Sequence, residues 1–500
     1  MKSLVAALLV AALAERGPVV LAEEPRLPSA ATTQSLTLRD CITRALANNL
    51  DVKIERLNPQ IQTWGIIREQ GAFDPALTGS ATYTDATEPL SPERAVALGV
   101  SSIDSQTWNF NSGLAGKLPT GTQYELTAFD ARNEGTLAPS AVHVGFAGLT
   151  LTQPLLKNFG LGANTAQIRV ARQNKQIAEQ AFTRQVINTV SDTQNAYYDL
   201  VFAIEDHRAK SEDLNRARAL LEDNRKRVQV GVLSRLDVTQ AEAGVAEREE
   251  AVIVAERAIK DAENALKRLI SQDVTEFRGV SLVPTDQPPV EMQELDAARS
   301  INTALATRPD YRQQQHEVEK QGILVKYNRN QLWPQIDLTS SYGFNGRGGS
   351  FGSFTDNVGS GDNPEWSAGV IVSIPLGNRQ ARANLRQSRL QEEQALLTLK
   401  RLEQQIIVDV DNAVGQVATN LKRVDATRAA TRLAEESLKA EEEKLRAGTS
   451  TSFLVLQAQA QLAAARSAEL RARADYDKSL VELARSEGTT LERNEIKLAE

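Results

Sequence analysis

Residues able to do covalent or metal chemistry are few in this chain, and they stand apart. Cys41 is the single cysteine, so no internal disulfide or multi-cysteine cluster can form, and His143, His207 and His316 lack any paired ligand spacing. No Ser-His-Asp order and no close carboxylate pair stands out. The segment Gly346-Arg347-Gly348-Gly349-Ser350-Phe351-Gly352 has the glycine content of a phosphate cradle. It lacks the Lys-Ser/Thr and the helix that complete one, and reads as a loop between two strands. No cofactor, metal or enzymatic activity is expected. What remains is the chemistry of surfaces: two glycine turns, Val230-Gly231-Val232 and Ala447-Gly448-Thr449, and a carboxylate, Asp237, just beyond the first.

The elements that must carry these turns are long helices. No proline falls between Pro154 and Pro284, and none follows Pro375. Ordinary helices average about 11 to 12 residues, so such stretches mean rods rather than compact αβ layers. The chain has 57 Lys+Arg and 64 Asp+Glu, a net −7 mixed along its length, which gives no basic field for nucleic acid. Beyond the first residues no apolar run is long enough for a transmembrane helix, so entry into a bilayer would be by strands. Lys2, the apolar stretch Leu4 to Leu13 and Val20-Leu21-Ala22 read as a secretory signal cleaved after Ala22. Cys41, inside a helical pattern, is expected to be a buried small apolar residue.

An internal repeat organises the rest. Ala45-Leu46-Ala47 matches Ala304-Leu305-Ala306, Pro75 matches Pro334, Leu151-Thr152-Gln153-Pro154 matches Val372-Ser373-Ile374-Pro375, and Gly231 matches Gly448. The expected layout is a signal peptide (1–22), a linker (23–35), repeat 1 (36–270), an equatorial segment (271–294), repeat 2 (295–487) and a polar tail (488–500). Repeat 1 holds a helix, a strand region 75–155, a long helix to 230 and a return helix. Repeat 2 has its strand region at 334–375 and its long helix ending at 447. Ala178, Phe182, Val186, Val190, Tyr197, Val201 and Ile204 form one apolar stripe on the first rod. Ser234 and Thr451 or Ser452 suit the N-caps of the returns. A rod of about 65 residues is about 100 Å long and cannot bury its stripe alone. Rods closing into a tube satisfy this, and so does a long antiparallel coiled coil.

The strand regions favour the tube. Trp366, Ala368, Val370, Val372 and Ile374 alternate, as do Leu77, Ala81 and Tyr83, and Ile336, Leu338, Tyr342 and Phe344. Period-2 segments of about ten residues are the signature of transmembrane barrel strands, with Trp108, Trp333 and Trp366 suited to an interface girdle. One chain supplies too few strands to close a barrel, so several copies must contribute. A further hairpin, Trp108, Phe110 and Leu114 followed by Tyr124, Leu126 and Ala128, has no counterpart in repeat 2. It either lengthens the barrel wall or stands outside the membrane as a flap, and the flap is the favoured reading.

With the repeat, Leu151 to Leu156 followed by Asn158-Phe159-Gly160, Arg308-Pro309-Asp310 and the two glycine turns in order, residues 34–488 resemble the TolC-like outer-membrane efflux proteins. The resemblance implies a mostly α chain with β structure, internally duplicated, whose long helical hairpins form a trimeric α-barrel in the periplasm. It also implies a β-barrel assembled from strands of three protomers, four from each, in outer-membrane lipid. Such a homotrimer conducts cargo passively from an inner-membrane transporter through a periplasmic adaptor. The competing function is a soluble periplasmic coiled-coil or adaptor-like protein.

By the same resemblance Val230, Gly231, Val232, Ala447, Gly448 and Thr449 are the adaptor-docking turns. Asp237 matches a gate aspartate of the first repeat. In the second repeat the carboxylate-ring positions hold Leu454 and Gln457, and Ser450 stands where the family has its gate arginine. A gate held by Asp237 with Arg235, Lys444 or Arg446 is expected, with weaker block by trivalent cations. As a plain helix-start carboxylate, Asp237 would instead be stabilised by the dipole.

Overall fold

The computed structural model describes residues 33–136, 138–286 and 295–497. The expected signal peptide, most of the first linker, residues 287–294 and the last three residues lie outside these. In repeat 1, β1 (Thr33–Leu36) leads to α1 (Leu38–Asn48) and α2 (Leu50–Gln70). Then come β2 (Ala76–Pro89), α3 (Pro92–Leu98), β3 (Ser102–Lys117), β4 (Gln123–Gly135) and β5 (Ala138–Pro154). A short α4 (Gly160–Asn164) precedes the rod α5 (Ala166–Gln229) and its return α6 (Arg235–Ile270), and β6 (Ser281–Pro284) pairs parallel to β1. Repeat 2 runs α7 (Ala297–Thr307), α8 (Pro309–Asn330), β7 (Gln335–Gly348), α9 (Phe351–Ser360), β8 (Pro364–Ser373), the rod α10 (Arg379–Arg446), its return α11 (Ser452–Glu487) and α12 (Thr490–Arg493).

The duplication is exact in length where it matters for packing. α1 and α7 have 11 residues each, β2 and β7 have 14, and α6 and α11 have 36. α5 and α10, at 64 and 68 residues, are each about 100 Å long. They pack side by side with shorter helices in two tiers. Beside the sheet the order is α2, α5, α8, α10; towards the far tips it is α6, α5, α11, α10. The tiers stack end to end. Asn49 caps α2 and also donates from Nδ2 to Leu269 O at the end of α6 (3.2 Å). Thr307 Oγ1 donates to Glu487 O where α11 meets α8 (2.5 Å). Arg308 locks this second joint, with a bidentate pair to Asp310 (3.0 and 2.7 Å) and a bond to Ser486 O (3.4 Å). Burial works to raise the Asp310 carboxyl, but the Arg308 hydrogen bonds and charge outweigh it and leave the group below its usual value.

The stripe predicted on α5 faces this packing: Val186, Val190 and Tyr197 are buried. Cys41 is fully enclosed with Tyr197, Leu200, Leu266 and Ile270, and burial pushes its thiol up to about 12.

Six strands form one antiparallel sheet in the order β2-β3-β4-β5-β7-β8. The hairpin expected as a flap is β3–β4, and it lies within this sheet between β2 and β5. That corrects the favoured reading, and it departs from the four strands per protomer that the resemblance implied. The cause is register: β3 pairs with β2 over their full lengths and β4 pairs with β5 through Thr152, so no edge is left free between them. The Gly346–Gly352 segment also differs from expectation. It closes β7 and opens a helix, α9, because Ser350 and Ser353 form a capping box and Gly361, at φ 74°, ends the helix.

Candidate functional site

Both rods end in the same cap. At the first tip Gly231 is left-handed (φ 78°), its N–H donates to Val228 O (3.0 Å) and Val232 N–H donates to Arg227 O (2.8 Å). At the second, Gly448 (φ 75°) donates to Leu445 O (3.3 Å) and Thr449 N–H to Lys444 O (2.9 Å). These are paired Schellman motifs, which satisfy the last carbonyls and turn the chain back. Nothing lies within 4 Å of where a Cβ on either glycine would sit, so both tips are open. Val230 and Val232 are 74% and 69% exposed, an apolar pair at the end of a charged rod.

Asp237 faces its own helix start. Its Oδ2 accepts from Ser234 N–H (3.0 Å) and Ser234 Oγ (2.7 Å), which completes a capping box. Among the described residues no ion pair joins it to Arg235, Lys444 or Arg446; Lys444 pairs with Glu441 (2.6 Å), which also accepts from Ser450 Oγ (2.7 Å). Leu454 occupies the equivalent N3 position of α11, and its N–H donates to the capping Thr451 (3.4 Å). Leu454 and Gln457 are both exposed.

The bonds that tie one hairpin to the other near the tips come from residues that belong to none of the sequence motifs. Arg248 and Asp213 form a buried pair (Nε to Oδ2, 2.7 Å), and Arg248 also donates to Gly244 O (3.0 Å) and across to Leu456 O of α11 (3.4 Å). Ser452 Oγ donates to Asn224 Oδ1 (2.9 Å), and Arg227 Nη1 to Leu445 O (3.4 Å). A signal existed: Asp213 and Arg248 lie nearly the same distance on either side of Gly231, as partners in an antiparallel hairpin must.

At the other end the sheet has two chemically distinct faces. Leu77, Leu114, Leu126, Leu149, Tyr342 and Trp366 are successive partners across all six strands and point to one side. The row ahead of it on the other side, Thr78, Gly113, Thr127, Gly148, Gly343 and Glu365, is small or polar. Along β3 the apolar face, Trp108, Phe110 and Leu114, is more exposed than the polar face, Thr107 and Asn109, so the apolar side is the outer one of a curled sheet. Trp108 lies between Tyr83 (4.6 Å between ring centroids) and Phe110 (6.2 Å). On the same outer side, α9 lays Phe354 over Gly145, Gly346 and Gly348 and covers a polar pair, Asp130 and His143 (3.0 Å). No described helix is long and apolar enough to cross a membrane.

A family model described as outer membrane efflux protein matches residues 121–272 and 300–489. The outer membrane efflux protein BepC of Brucella suis is 25% identical over 453 residues, covering 88% of this chain and 83% of BepC. The solvent efflux pump outer membrane protein SrpC of Pseudomonas putida is 28% identical over 202 residues, 39% of this chain and 40% of SrpC. Among solved structures, the outer-membrane channel OprN superposes with a TM-score of 0.68 at 17% identity, over 94% of this chain and 99% of that one. The CmeC outer membrane channel of Campylobacter jejuni gives 0.65 at 19%, over 91% and 86%.

Proposed function

Because the chain belongs to the outer membrane efflux protein family, we propose that it is the outer-membrane duct of an efflux system, through which an inner-membrane transporter expels cargo by way of a periplasmic adaptor. The observation that carries the reading is the pairing of a two-faced sheet, apolar outside and polar inside, with helical hairpins about 100 Å long. The sheet belongs in the outer membrane and the helices project into the periplasm.

Three copies complete the wall. The side of α2 carries exposed Ile54, Ile61 and Trp64, and α10 carries exposed Leu396, Leu397 and Val408 on the opposite flank of the protomer. Apolar patches of this kind are covered by a partner, and α2 of one copy against α10 of the next covers both. The tips at Val230-Gly231-Val232 and Ala447-Gly448-Thr449 receive the adaptor. Gly231 and Gly448 leave room for a partner backbone, and the exposed valines supply apolar contact. The gate is held within each protomer by the Arg248, Asn224 and Arg227 bonds to α10 and α11 rather than by a carboxylate ring.

Expression in a Gram-negative host tests this. The chain should fractionate with outer membranes, give the mass of three chains by native mass spectrometry in detergent, and conduct ions in planar bilayers with little block by trivalent cations. A monomer that stays in the aqueous fraction and forms no channel would refute the reading. Strong trivalent block would refute only the gate.

A further inference from the structure

From the strand count we infer that the trimer closes a barrel of eighteen strands, six from each copy, with the β8 edge of one copy hydrogen-bonded to the β2 edge of the next. The inference rests on the trimeric reading above and adds the width of the exit. Four observations carry it.

First, every strand is long enough to cross a bilayer. The shortest, β8, has 10 residues and the others have 13 to 17, against about 9 to 11 required. Second, the inserted hairpin has the same two faces as its neighbours. Leu114 and Leu126 continue the outer row, while Asn109, Asn111, Glu125 and Thr127 face inward. A flap in water would have no reason to keep that alternation in register with β2 and β5. Third, the two edges match. β2 is antiparallel to β3 and β8 to β7, so an even count of six makes β8 antiparallel to the next β2. Nearly every residue of both edge strands is exposed. Unpaired edges are not tolerated in lipid, so each must find the other.

Fourth, the stagger has the size a closed barrel needs. The row of partners that starts at Ala76, where β2 begins, reaches β8 at Ser367, six residues short of its end at Ser373. With Ser373 set level with Ala76 of the next copy, three such copies give eighteen strands a tilt of about 35°, within the usual range for membrane barrels. The perimeter is then about 105 Å, close to the roughly 96 to 120 Å of twelve helices packed 8 to 10 Å apart. Twelve strands at that tilt would span only about 70 Å. With the extra hairpin the sheet is as wide as the helical tube beneath it, and the exit admits bulkier solutes than a twelve-stranded one of the same tilt.

Paired cysteines in the full chain decide the strand order, since native Cys41 is enclosed. Ser80→Cys with Asn111→Cys, and Glu125→Cys with Thr150→Cys, should each form a disulfide within one chain on oxidation in membranes. Ser80→Cys with Thr150→Cys should not, because two strands separate them; a disulfide there would mean β2 lies against β5 and would overturn the inference. The trimer would then survive with a twelve-stranded wall, whereas loss of the trimer itself would overturn the functional reading as well. Deleting residues 102–135 leaves 90–101 and 136–137 to join β2 to β5. In bilayers, the cross-section of the largest polyethylene glycol entering from the outer side should fall about twofold. An unchanged cutoff in a conducting deletion variant would overturn the inference, and if that variant does not assemble, the cysteine pairs still decide.

Discussion

Arg248→Met is the most informative single substitution at the periplasmic tips. The guanidinium and the Asp213 carboxylate are each more than nine-tenths buried, and the arginine also reaches Leu456 O on α11. Methionine keeps much of the apolar stem but leaves the Asp213 charge buried, with only Arg216, one turn along at 3.4 Å, to answer it. Breaking a buried pair by removing one partner costs about 3 to 5 kcal/mol, and Arg216 places this case at the lower end, about 3 kcal/mol. If the amides of α5 and α6 around Asp213 and Arg248 exchange through local opening of the tip, that is a roughly hundredfold faster exchange. Hydrogen-exchange mass spectrometry on the assembled protein reads it directly, with the β-sheet peptides as an internal control. Adding Asp213→Asn to Arg248→Met removes the stranded charge and should recover most of the protection. Exchange of the single variant within about threefold of wild type, or a double variant no better than the single, would refute the claim that this pair holds the tips together.

At the turns, Val232→Asp should change stability by no more than about 0.5 kcal/mol, because the side chain is exposed, yet abolish efflux in a complementation assay. Gly448→Ala should destabilise its tip by about 1 kcal/mol through its positive φ, read as faster exchange there. Burial against Tyr198 and Phe202 raises the Asp477 carboxyl to about 7, opposed by Arg473. A folded pKa above the unfolded one means that the native state holds the extra proton, so stability falls as pH rises from about 4 through 7. Asp477→Asn should flatten that slope and raise the melting temperature at pH 8 relative to wild type, measured by differential scanning fluorimetry. Cys41 should resist maleimide in the native protein and react only after unfolding, as mass spectrometry would record.

Much of the architecture was legible because it is written in periods and breakers. The spacing of Val186, Val190 and Tyr197 announced the α5 rod, Gly231 and Gly448 its turn and that of α10, and Ser234 the cap of α6. The strands too were visible, since Trp108, Phe110 and Leu114 alternate plainly. Where a hairpin attaches is a different question, settled by hydrogen-bond register with partners far away in the chain, and alternation within β3 and β4 carries no record of it. α9 escaped notice because its glycines and serines have low helix propensity, and packing of Phe354 on the sheet overrides that preference. Asp237 could be placed at a helix start but not oriented, because capping box and gate use the same residue type.

The two tiers of helices have a mechanical consequence. α5 and α10 run through both, while α2 and α8 beside the sheet give way end to end to α6 and α11. Each protomer therefore contributes four staves at either height. A cask with equal staves throughout has no built-in taper, so any narrowing at the far mouth has to come from winding the staves more steeply about the axis.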